Sequence, residues 1–420
     1  MTPEEAERYL LSLELFGMRF GLDRMRRLMT ALGHPERQFR SIHVVGTNGK
    51  SSTTRMIAAI LGHHDLTVGS YLSPHLVSFS ERIRIDDEDI EPEAFAAAVS
   101  RAARAAELVD RSLDAEDRVT QFEALTAAAY VELARREVRV AVIEAGLGGR
   151  YDATNVIPSS VQVLTGIGLE HTRWLGPSIT AIAGEKLDVV RPGGTLVLGA
   201  GLHPEADALA VRVAAERGAT IVRAGSDPGV PVGALGAFQR RNFALALAAA
   251  EAYLGGLDAA AVAAAALEVR VPGRLQIIGQ DPLTVIDGAH NPDGIAALAE
   301  SLPEIAAGRG PVVAVVSILD DKDAAGMLAR LLPALDVLVL TSSQNPRALP
   351  PPTLQSLARQ LMEGSRAGLA AEVVREPRAA LERARERAGA SGLVIATGSI
   401  YLVADLLAPV DAGGRRISML

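Results

Sequence analysis

The sequence predicts an α/β protein in which a doubly wound, mostly parallel sheet domain of the phosphate-loop type is followed by a smaller Rossmann-like α/β domain. Short runs of Val, Ile and Leu alternate with helical stretches along the chain, which is the pattern of β-α-β units around a parallel sheet. The segment Val271-Pro272-Gly273-Arg274 interrupts this alternation, which then restarts. We therefore expect a first domain at residues 1–268, a linker at 269–274 and a second domain at 275–420.

The clearest local pattern is a β-forming run, Ile42–Val45, that ends at Gly46 and is followed by Gly49-Lys50-Ser51-Ser52 and an apolar helix over 56–61. Glycines permit a tight turn, the unpaired N–H groups of a helix start favour an anion, and Lys50 adds a positive charge. The pattern predicts nucleotide binding by Thr47, Asn48, Gly49, Lys50, Ser51 and Ser52. The strict motif has glycine where Val44 stands, so an ordinary strand–helix turn is the alternative.

Composition excludes several classes of function. The 420 residues include 42 basic and 50 acidic ones, a net charge of −8 without a long basic run, so we expect no nucleic-acid or anionic-membrane partner. The chain has no cysteine, which excludes disulfides, thiolate metal sites and thiol catalysis. A charged N-terminus and the lack of any apolar run near ~18 residues predict neither a signal peptide nor a membrane helix, and hence a cytoplasmic protein.

The N-terminal elements carry few signs of chemistry. A helix starts after Thr2 and is expected to reach about Phe16, and a loop over 17–21 precedes a second helix from Leu22. An ordinary helix–loop–helix is the simplest interpretation. Phe20, which stands between glycines, is the one residue of this region that could flank a ligand.

Polar residues follow the next strand, Thr67–Tyr71. Ser73 and His75 come after it, at the edge where open α/β sheets bind ligands, although a capping serine explains Ser73 equally well. The alternation in Glu81–Ile85 predicts another strand. Two helices are predicted next, Pro92–Leu113 and Ala124–Arg135, the second preceded by a capping box of Thr120 and Glu123.

A buried strand, Val138–Glu144, ends in a carboxylate and leads into a glycine-rich segment. An acid placed in this way beside a phosphate loop is how phosphate-loop enzymes hold magnesium. The strand Val161–Ile167 places His171 at the same edge, although a lone histidine is more often structural than a ligand. The next helix, 179–190, carries Lys186 near its middle, and from the helical context alone we expect that lysine to be solvated.

The alternation continues to the end of the chain. Further strands are predicted at 195–198, 220–222, 283–287, 311–316, 337–340, 371–374 and 393–396, and further helices at 204–217, 243–254 and from Asp258 to near Leu267. Asp287 and His290 follow the first strand of the second domain and again lie at a strand's carboxyl end. The last residues, 411–420, are expected to fray.

An ordered series of motifs runs along the chain. The series comprises Gly46-Thr47-Asn48-Gly49-Lys50-Ser51-Ser52, Ser73-Pro74-His75, Glu144 with Gly146 to Asn155, His171 with Leu175-Gly176, Glu185-Lys186, Pro272-Gly273-Arg274, Asp287 to Pro292, and Gly398 to Leu402. With this series the chain resembles, over nearly its whole length, the folylpolyglutamate synthases of the Mur ligase superfamily, which are often bifunctional with dihydrofolate synthase.

The resemblance implies ATP-dependent amide formation. A carboxylate of the folate, or of dihydropteroate, attacks the γ-phosphate of ATP, and the amine of L-glutamate then attacks the acyl phosphate. The implied cofactors are ATP and two Mg²⁺ ions. The implied roles are Ser73, Glu144, His171 and a carbamylated Lys186 as metal ligands, Asn242, Arg274 and Asp287 as ATP contacts, and Lys50, Lys186 and His290 as catalytic residues.

On the folate side, the resemblance implies contacts from Phe20, Thr120, Phe122, Glu123 and Asp152, with the two carboxylates accepting hydrogen bonds from pterin N–H groups. The expected partners are a folate or dihydropteroate, L-glutamate and ATP, bound by a monomer. The resemblance leaves open whether dihydropteroate is used as well as folates.

Two other classes of protein remain open. A different Mur-type ligase would join an amino acid to a cell-wall nucleotide, but such enzymes carry a nucleotide-sugar domain before the phosphate loop. Only about 45 residues precede Gly46 here, fewer than the usual domain size. A phosphate-loop switch would not need a second α/β domain with Asp287 and His290, and it would carry the strict motif.

Overall fold

The computed structural model describes residues 1–13, 21–114, 117–363 and 369–409. Their contacts divide the chain into two compact units, the first formed by 1–233 and 241–269 and the second by 234–240 and the residues from Arg270 onward. Phe20 with its loop, and the terminal residues 411–420, lie outside the described residues.

The first unit is built on an eight-stranded sheet. Its strands are β1 (Arg40–Val45), β2 (Val68–Tyr71), β3 (Ile83–Ile85), β4 (Glu88–Asp89), β5 (Val140–Glu144), β6 (Val161–Leu164), β7 (Thr195–Leu198) and β8 (Thr220–Arg223). They lie in the order β4-β3-β2-β5-β1-β6-β7-β8, and all neighbours are parallel except at the β4-β3-β2 edge. The carboxyl ends of β2, β5, β1 and β6 therefore lie side by side.

Helices cover both faces of this sheet. They are α1 (Pro3–Ser12), α2 (Asp23–Ala31), α3 (Lys50–Gly62), α4 (Pro92–Asp110), α5 (Gln121–Arg135), α6 (Thr172–Leu175), α7 (Ile179–Leu187), α8 (Pro204–Arg217), α9 (Ala237–Leu254) and α10 (Ala259–Glu268). One core joins α1, α2, α4 and α5 to Tyr71 and Ile143, and another joins α7 and α8 to Val45 and Leu164. Because helices bury both faces of the sheet, the sequences of the parallel strands are continuous apolar runs.

The second unit repeats the arrangement on a smaller scale. Its strands are β9 (Gln276–Gln280), β10 (Leu283–Ile286), β11 (Val312–Val316), β12 (Val337–Leu340), β13 (Ala370–Val373) and β14 (Leu393–Thr397). Its helices are α11 (Pro292–Ala306), α12 (Ala324–Leu331), α13 (Pro351–Met362), α14 (Pro377–Ala388) and α15 (Ile400–Leu407). The strand order is β13-β12-β11-β14-β10-β9, and only β9 is antiparallel to its neighbour. The predicted fold class is confirmed.

Two local predictions were confirmed and one was partly wrong. A capping box starts α5 at Thr120, as predicted, and Thr2, which was predicted only to cap α1, forms a capping box there too. The predicted strand Glu81–Ile85 starts only at Ile83, because Phe79–Arg82 forms a 3-10 turn. The carboxylate of Glu81 holds this turn by accepting hydrogen bonds from three preceding backbone amides.

The sequence pattern also missed strands and misplaced a helix start. Neither the two-residue β4 nor the antiparallel β9 was predicted, and α9 begins at Ala237 rather than at Phe243. Both strands lie at sheet edges, where exposed and half-exposed residues lack the apolar signal of central strands. Among the described residues, every helix is too short or too polar to cross a membrane.

Candidate active site

The phosphate loop connects the central strand β1 to α3. Gly49 caps α3 with a left-handed backbone, φ 82°, so the loop turns sharply and the first amides of the helix have no intrahelical partner. A Cβ atom at Gly49 would lie 2.6 Å from the side-chain oxygen of Asn242 in α9. The Lys50 ammonium donates to the carbonyl of Thr47, 3.0 Å away, and folds back over the loop. This geometry suits an anion at the start of α3.

The segment after β6 forms one wall of the loop. Thr165 donates its hydroxyl hydrogen to the carbonyl of Asn48, 2.6 Å away, and the Thr47 hydroxyl pairs with the backbone of Gly168. Gly46 approaches so closely that a Cβ atom there would lie 1.9 Å from the Thr165 hydroxyl. Thr165 was not predicted from the sequence as a site residue. It is a polar residue directly after an apolar strand at the ligand-binding edge of the sheet, and this position could have identified it.

Glu144, the last residue of β5, joins two of the predicted site segments. Its carboxylate is fully buried, accepts a hydrogen bond from the Ser51 hydroxyl at 2.9 Å, and accepts another from the backbone N–H of Ser73 at 3.1 Å. The structure thus brings the phosphate loop, the exit of β2 and the exit of β5 together. Ser52, the next residue of the loop, is also buried.

Lys186 on α7 is 4% exposed, and its ammonium donates to the Gly46 carbonyl, 2.7 Å away. Burial lowers the pKa of Lys186 to about 7, with a further contribution from Lys50 and a smaller opposing one from Glu170. The expectation of a solvated lysine was wrong, because Lys186 lies four residues after the buried Ile182 and shares its apolar face.

His171 lies at the exit of β6, one residue before the single turn α6, with a left-handed backbone. Its Nε2 atom is 3.8 Å from the Glu170 carboxylate. Across the described ranges, no three His, Asp or Glu side chains gather into a metal-binding group. Of the predicted ligands only Glu144 and His171 are of these types, since Ser73 would bind through a hydroxyl and Lys186 only after modification.

The start of α5 supplies the predicted folate contacts Thr120 and Glu123. The Glu123 carboxylate accepts hydrogen bonds from the backbone N–H and hydroxyl of Thr120 and from the guanidinium of Arg24 in α2. Arg24 also pairs with Asp117, 2.6 Å away. Glu123 is therefore a buried ion-pair partner that fastens α2 to the start of α5.

The loop after β5 lies against the start of α5. The ring of Phe122 packs on Gly146 so closely that a Cβ atom there would lie 2.5 Å from the ring. Asp152 closes this loop by accepting hydrogen bonds from the amides of Leu147 and Thr154, at 2.7 and 3.0 Å. Burial raises the pKa of Asp152, and these hydrogen bonds oppose the effect.

The second unit brings three predicted residues into one cluster at the carboxyl end of β10. Buried Asp287 accepts hydrogen bonds from the amides of Leu275 and Ala289, and burial raises its pKa while Arg274 opposes that shift. Arg274 fits against Gly288, where a Cβ atom would lie 2.1 Å from the guanidinium. The Nδ1 atom of His290 is 2.9 Å from the Gly288 carbonyl.

Comparison with known proteins gives a consistent result. The family model of the Mur ligase glutamate ligase domain matches residues 273–400. Folylpolyglutamate synthase of Lacticaseibacillus casei is 36% identical over 409 residues, which cover 90% of this chain and 92% of that protein. Dihydrofolate synthase/folylpolyglutamate synthase of Bacillus subtilis is 32% identical over 421 residues, covering 93% and 95% of the two chains.

Solved structures agree with these matches. Mycobacterium tuberculosis folylpolyglutamate synthase complexed with ADP gives a TM-score of 0.86 at 32% identity and covers 96% of this chain and 97% of that chain. The Escherichia coli protein FolC in complex with DHPP and ADP gives the same TM-score at 28% identity, with 97% of each chain covered. The chain therefore belongs to the folylpolyglutamate synthase/dihydrofolate synthase family of Mur ligases.

Proposed function

We propose that this chain adds L-glutamate to folates in an ATP-dependent reaction that passes through an acyl phosphate. The observation that carries the proposal is the convergence of the Lys50 loop, Glu144, Ser73 and buried Lys186 at one edge of the first sheet. Family membership supports the reaction class, because the relatives are folylpolyglutamate synthases and the matching family model is that of a glutamate ligase domain. Complexes of relatives with ADP support the nucleotide.

The chain's own residues would act mainly by binding phosphate and stabilising charge. The amides at the start of α3 and the Lys50 ammonium would hold the phosphates, and a folate carboxylate oxygen would attack the γ-phosphorus while ADP leaves. The amine of L-glutamate, after losing a proton, would then form the amide bond and release phosphate. We propose that Thr47, Asn48, Ser51 and Ser52 line the same nucleotide site.

We propose a divalent cation beside the loop, which is supported by the structure of a relative complexed with AMPPNP and a Mn ion. The buried carboxylate of Glu144 and the hydroxyl oxygen of Ser51 beside it are hard donors that suit Mg²⁺. Ser73, Glu144, His171 and Lys186 would hold the metal, and two ions would bind in all. When bound, Mg²⁺ supplies positive charge that stabilises the transferring phosphoryl group.

We propose that Lys186 is carbamylated. Its neutral nitrogen would attack CO₂, forming an N–C bond and releasing one proton, and the resulting carbamate would present an anionic oxygen near Lys50. Burial supports this proposal, because a pKa of about 7 leaves much of the amine neutral at physiological pH. The chain has only three lysines, so ¹³C NMR with labelled bicarbonate gives a simple spectrum in which loss of a carbamate signal in Lys186→Met would identify the site.

We propose that Phe20, Thr120, Phe122, Glu123 and Asp152 belong to the folate side of the site. Packing of Phe122 on Gly146 supports an aromatic wall there. Glu123 and Asp152 already accept several hydrogen bonds from the protein, which favours a role in shaping the wall. Phe20 remains a proposal from sequence alone.

We propose that Asn242 contacts the nucleotide, which is supported by its position against Gly49 in the phosphate loop. In the second unit, we propose a role in ATP binding for Arg274 and Asp287 and a catalytic role for His290. The clustering of these three residues at the carboxyl end of β10 supports both roles. We also propose that the protein works as a monomer, which analytical ultracentrifugation would test.

The test of the proposal is ADP release from ATP, Mg²⁺ and L-glutamate, with tetrahydrofolate or dihydropteroate as the variable acceptor. Turnover with tetrahydrofolate supports the proposed function, and turnover with dihydropteroate as well identifies a bifunctional enzyme. Thermal stabilisation by a UDP-muramoyl compound and not by folates would instead favour a cell-wall ligase.

A further inference from the structure

A histidine occupies an interior position of β1, the strand that leads into the phosphate loop. Its neighbours in the strand are apolar, and its own side chain is fully buried. The Nε2 atom of His43 is 2.9 Å from the hydroxyl oxygen of Thr154, which is buried as well. The reaction proposed above uses neither side chain, and burying two polar groups is costly unless their hydrogen bonds are made.

The hydrogen bonds of this pair have one consistent direction. Asp152 accepts the Thr154 amide hydrogen on Oδ1 and the Leu147 amide hydrogen on Oδ2, so both oxygens act as acceptors. The Thr154 hydroxyl is also within hydrogen-bond distance of Oδ1 and therefore donates to it. Having used its only hydrogen, that hydroxyl must accept from His43, whose Nε2 carries the proton.

The second ring nitrogen of His43 and the charge of the ring are consistent with a proton on Nε2. Within the described ranges, Nδ1 of His43 has no hydrogen-bond partner, which fits the nitrogen that carries no proton. Burial, with a smaller contribution from Arg191, lowers the pKa of His43 to about 3, so the ring stays neutral across the working pH range. The direction of the donor chain from His43 through Thr154 to Asp152 is therefore the same across that pH range.

Asp152 transmits this restraint to the loop that follows Glu144. Its bond to Leu147 closes the segment 146–152, whose other contacts include Phe122 against Gly146 and the α7 backbone of Lys186 against Gly149. At Gly149 the segment therefore lies against α7, which carries Lys186, and at Gly146 it lies against Phe122 at the start of α5. An acceptor whose carboxylate reaches the γ-phosphate would pass along this segment.

We infer that His43 is a positioning residue for the acceptor substrate, acting through Thr154 and Asp152 on the shape of the segment 146–152. The inference rests on the proposed function for the identity of the acceptor, a folate-like molecule with a ring system and a carboxylate. It predicts a selective effect on acceptor binding, because the loop that holds ATP has separate anchors at Thr165 and Gly168.

The test compares two pairs of variants of the full chain. Thr154→Val removes the hydroxyl and Thr154→Ser keeps it; His43→Leu removes the donor, whereas His43→Gln keeps an amide N–H near the position of Nε2. Thr284→Val in the second unit is the matched control, since it too deletes a buried threonine hydroxyl, which there donates to the backbone carbonyl of Pro282. The readouts are amide hydrogen exchange over 146–152, and KM for tetrahydrofolate and for ATP.

Thr154→Val removes a hydrogen bond to a carboxylate, and His43→Leu removes the donor that orients the same hydroxyl. We expect each variant to raise KM for the acceptor about tenfold, with KM for ATP within about twofold. Exchange at Gly146 and Leu147 should accelerate in these two variants and not in Thr154→Ser, His43→Gln or Thr284→Val. Equal increases in both KM values, or unchanged exchange in Thr154→Val, would overturn the inference. Wild-type protein without folate turnover would defeat the proposed function instead, and the exchange data alone would then decide the inference.

Discussion

Replacing Lys186 by Met tests whether burial lowers the pKa of this lysine in the folded protein. Methionine has nearly the same length and keeps the apolar stem in the packed face of α7, but it cannot carry charge. The ordinary pKa of 10.5 falls to about 7 in the folded protein. Between these two values the unfolded chain binds a proton that the folded chain does not, so wild-type stability rises with pH in this window and falls as pH drops through it.

The magnitude follows from the two pKa values. The difference between 10.5 and about 7 corresponds to a penalty of about 5 kcal/mol below pH 7, at 1.36 kcal/mol per pH unit. At pH 9 about 2 kcal/mol of this penalty remains, because the unfolded chain is still mostly protonated there. Relative to Lys186→Met, the wild type should therefore gain about 2 to 3 kcal/mol between pH 6 and pH 9.

The assay is urea unfolding of both proteins between pH 6 and pH 9, in CO₂-free buffer with a chelator so that the amine stays unmodified. The only tryptophan of the chain, Trp174, belongs to the first unit, so its fluorescence follows the unit that contains Lys186. The loss of the hydrogen bond to Gly46 and any change in packing shift the variant by an amount that does not depend on pH. Parallel stability curves for the two proteins would therefore show that folding does not lower the pKa of Lys186.

Three further predictions concern the same site. Lys50→Ala should lower ATP turnover at least about 100-fold with an unchanged melting temperature, and normal turnover would remove Lys50 from the mechanism. Gly49→Ala should weaken ATP binding and destabilise the protein by about 1 kcal/mol more than the control Gly255→Ala. Both glycines have φ 82°, but of the two only Gly49 has a neighbour, Asn242, within 4 Å of an added Cβ atom. Equal destabilisation of the two variants in calorimetry would contradict this prediction. Lys186→Ala should lose activity that added short carboxylates partly restore, whereas full activity without them would show that no carbamate is needed.

Local patterns account for most of what the sequence could predict. The strand, loop and helix around Lys50 were predictable because the apolar run, the glycines and the helix start are adjacent in the chain. The carboxyl ends of β2 and β5 were predictable by the same logic, since parallel strands present their ends at one edge. This is why Ser73 and Glu144 could be placed together from the order of the strands and the residues that follow them.

Contacts between distant segments explain what could not be predicted. Glu123 looked free to bind a ligand, but Arg24 reaches it from 99 residues away and forms a buried ion pair. His43 and Thr154 meet across 111 residues, so no local window contains their hydrogen bond. Lys186 is a different case, because its spacing from Ile182 already placed it on the apolar face and the pattern could have been used.

Acceptor-dependent ADP release is the decisive measurement for the proposed ligase reaction. With ATP, Mg²⁺ and L-glutamate present, we expect ADP release that starts on addition of tetrahydrofolate and stops when L-glutamate is withheld. Mass spectrometry of the product should then show a folate extended by one or more glutamates. Protein that binds ATP yet turns over with neither tetrahydrofolate nor dihydropteroate would rule out the proposed folate–glutamate ligase reaction.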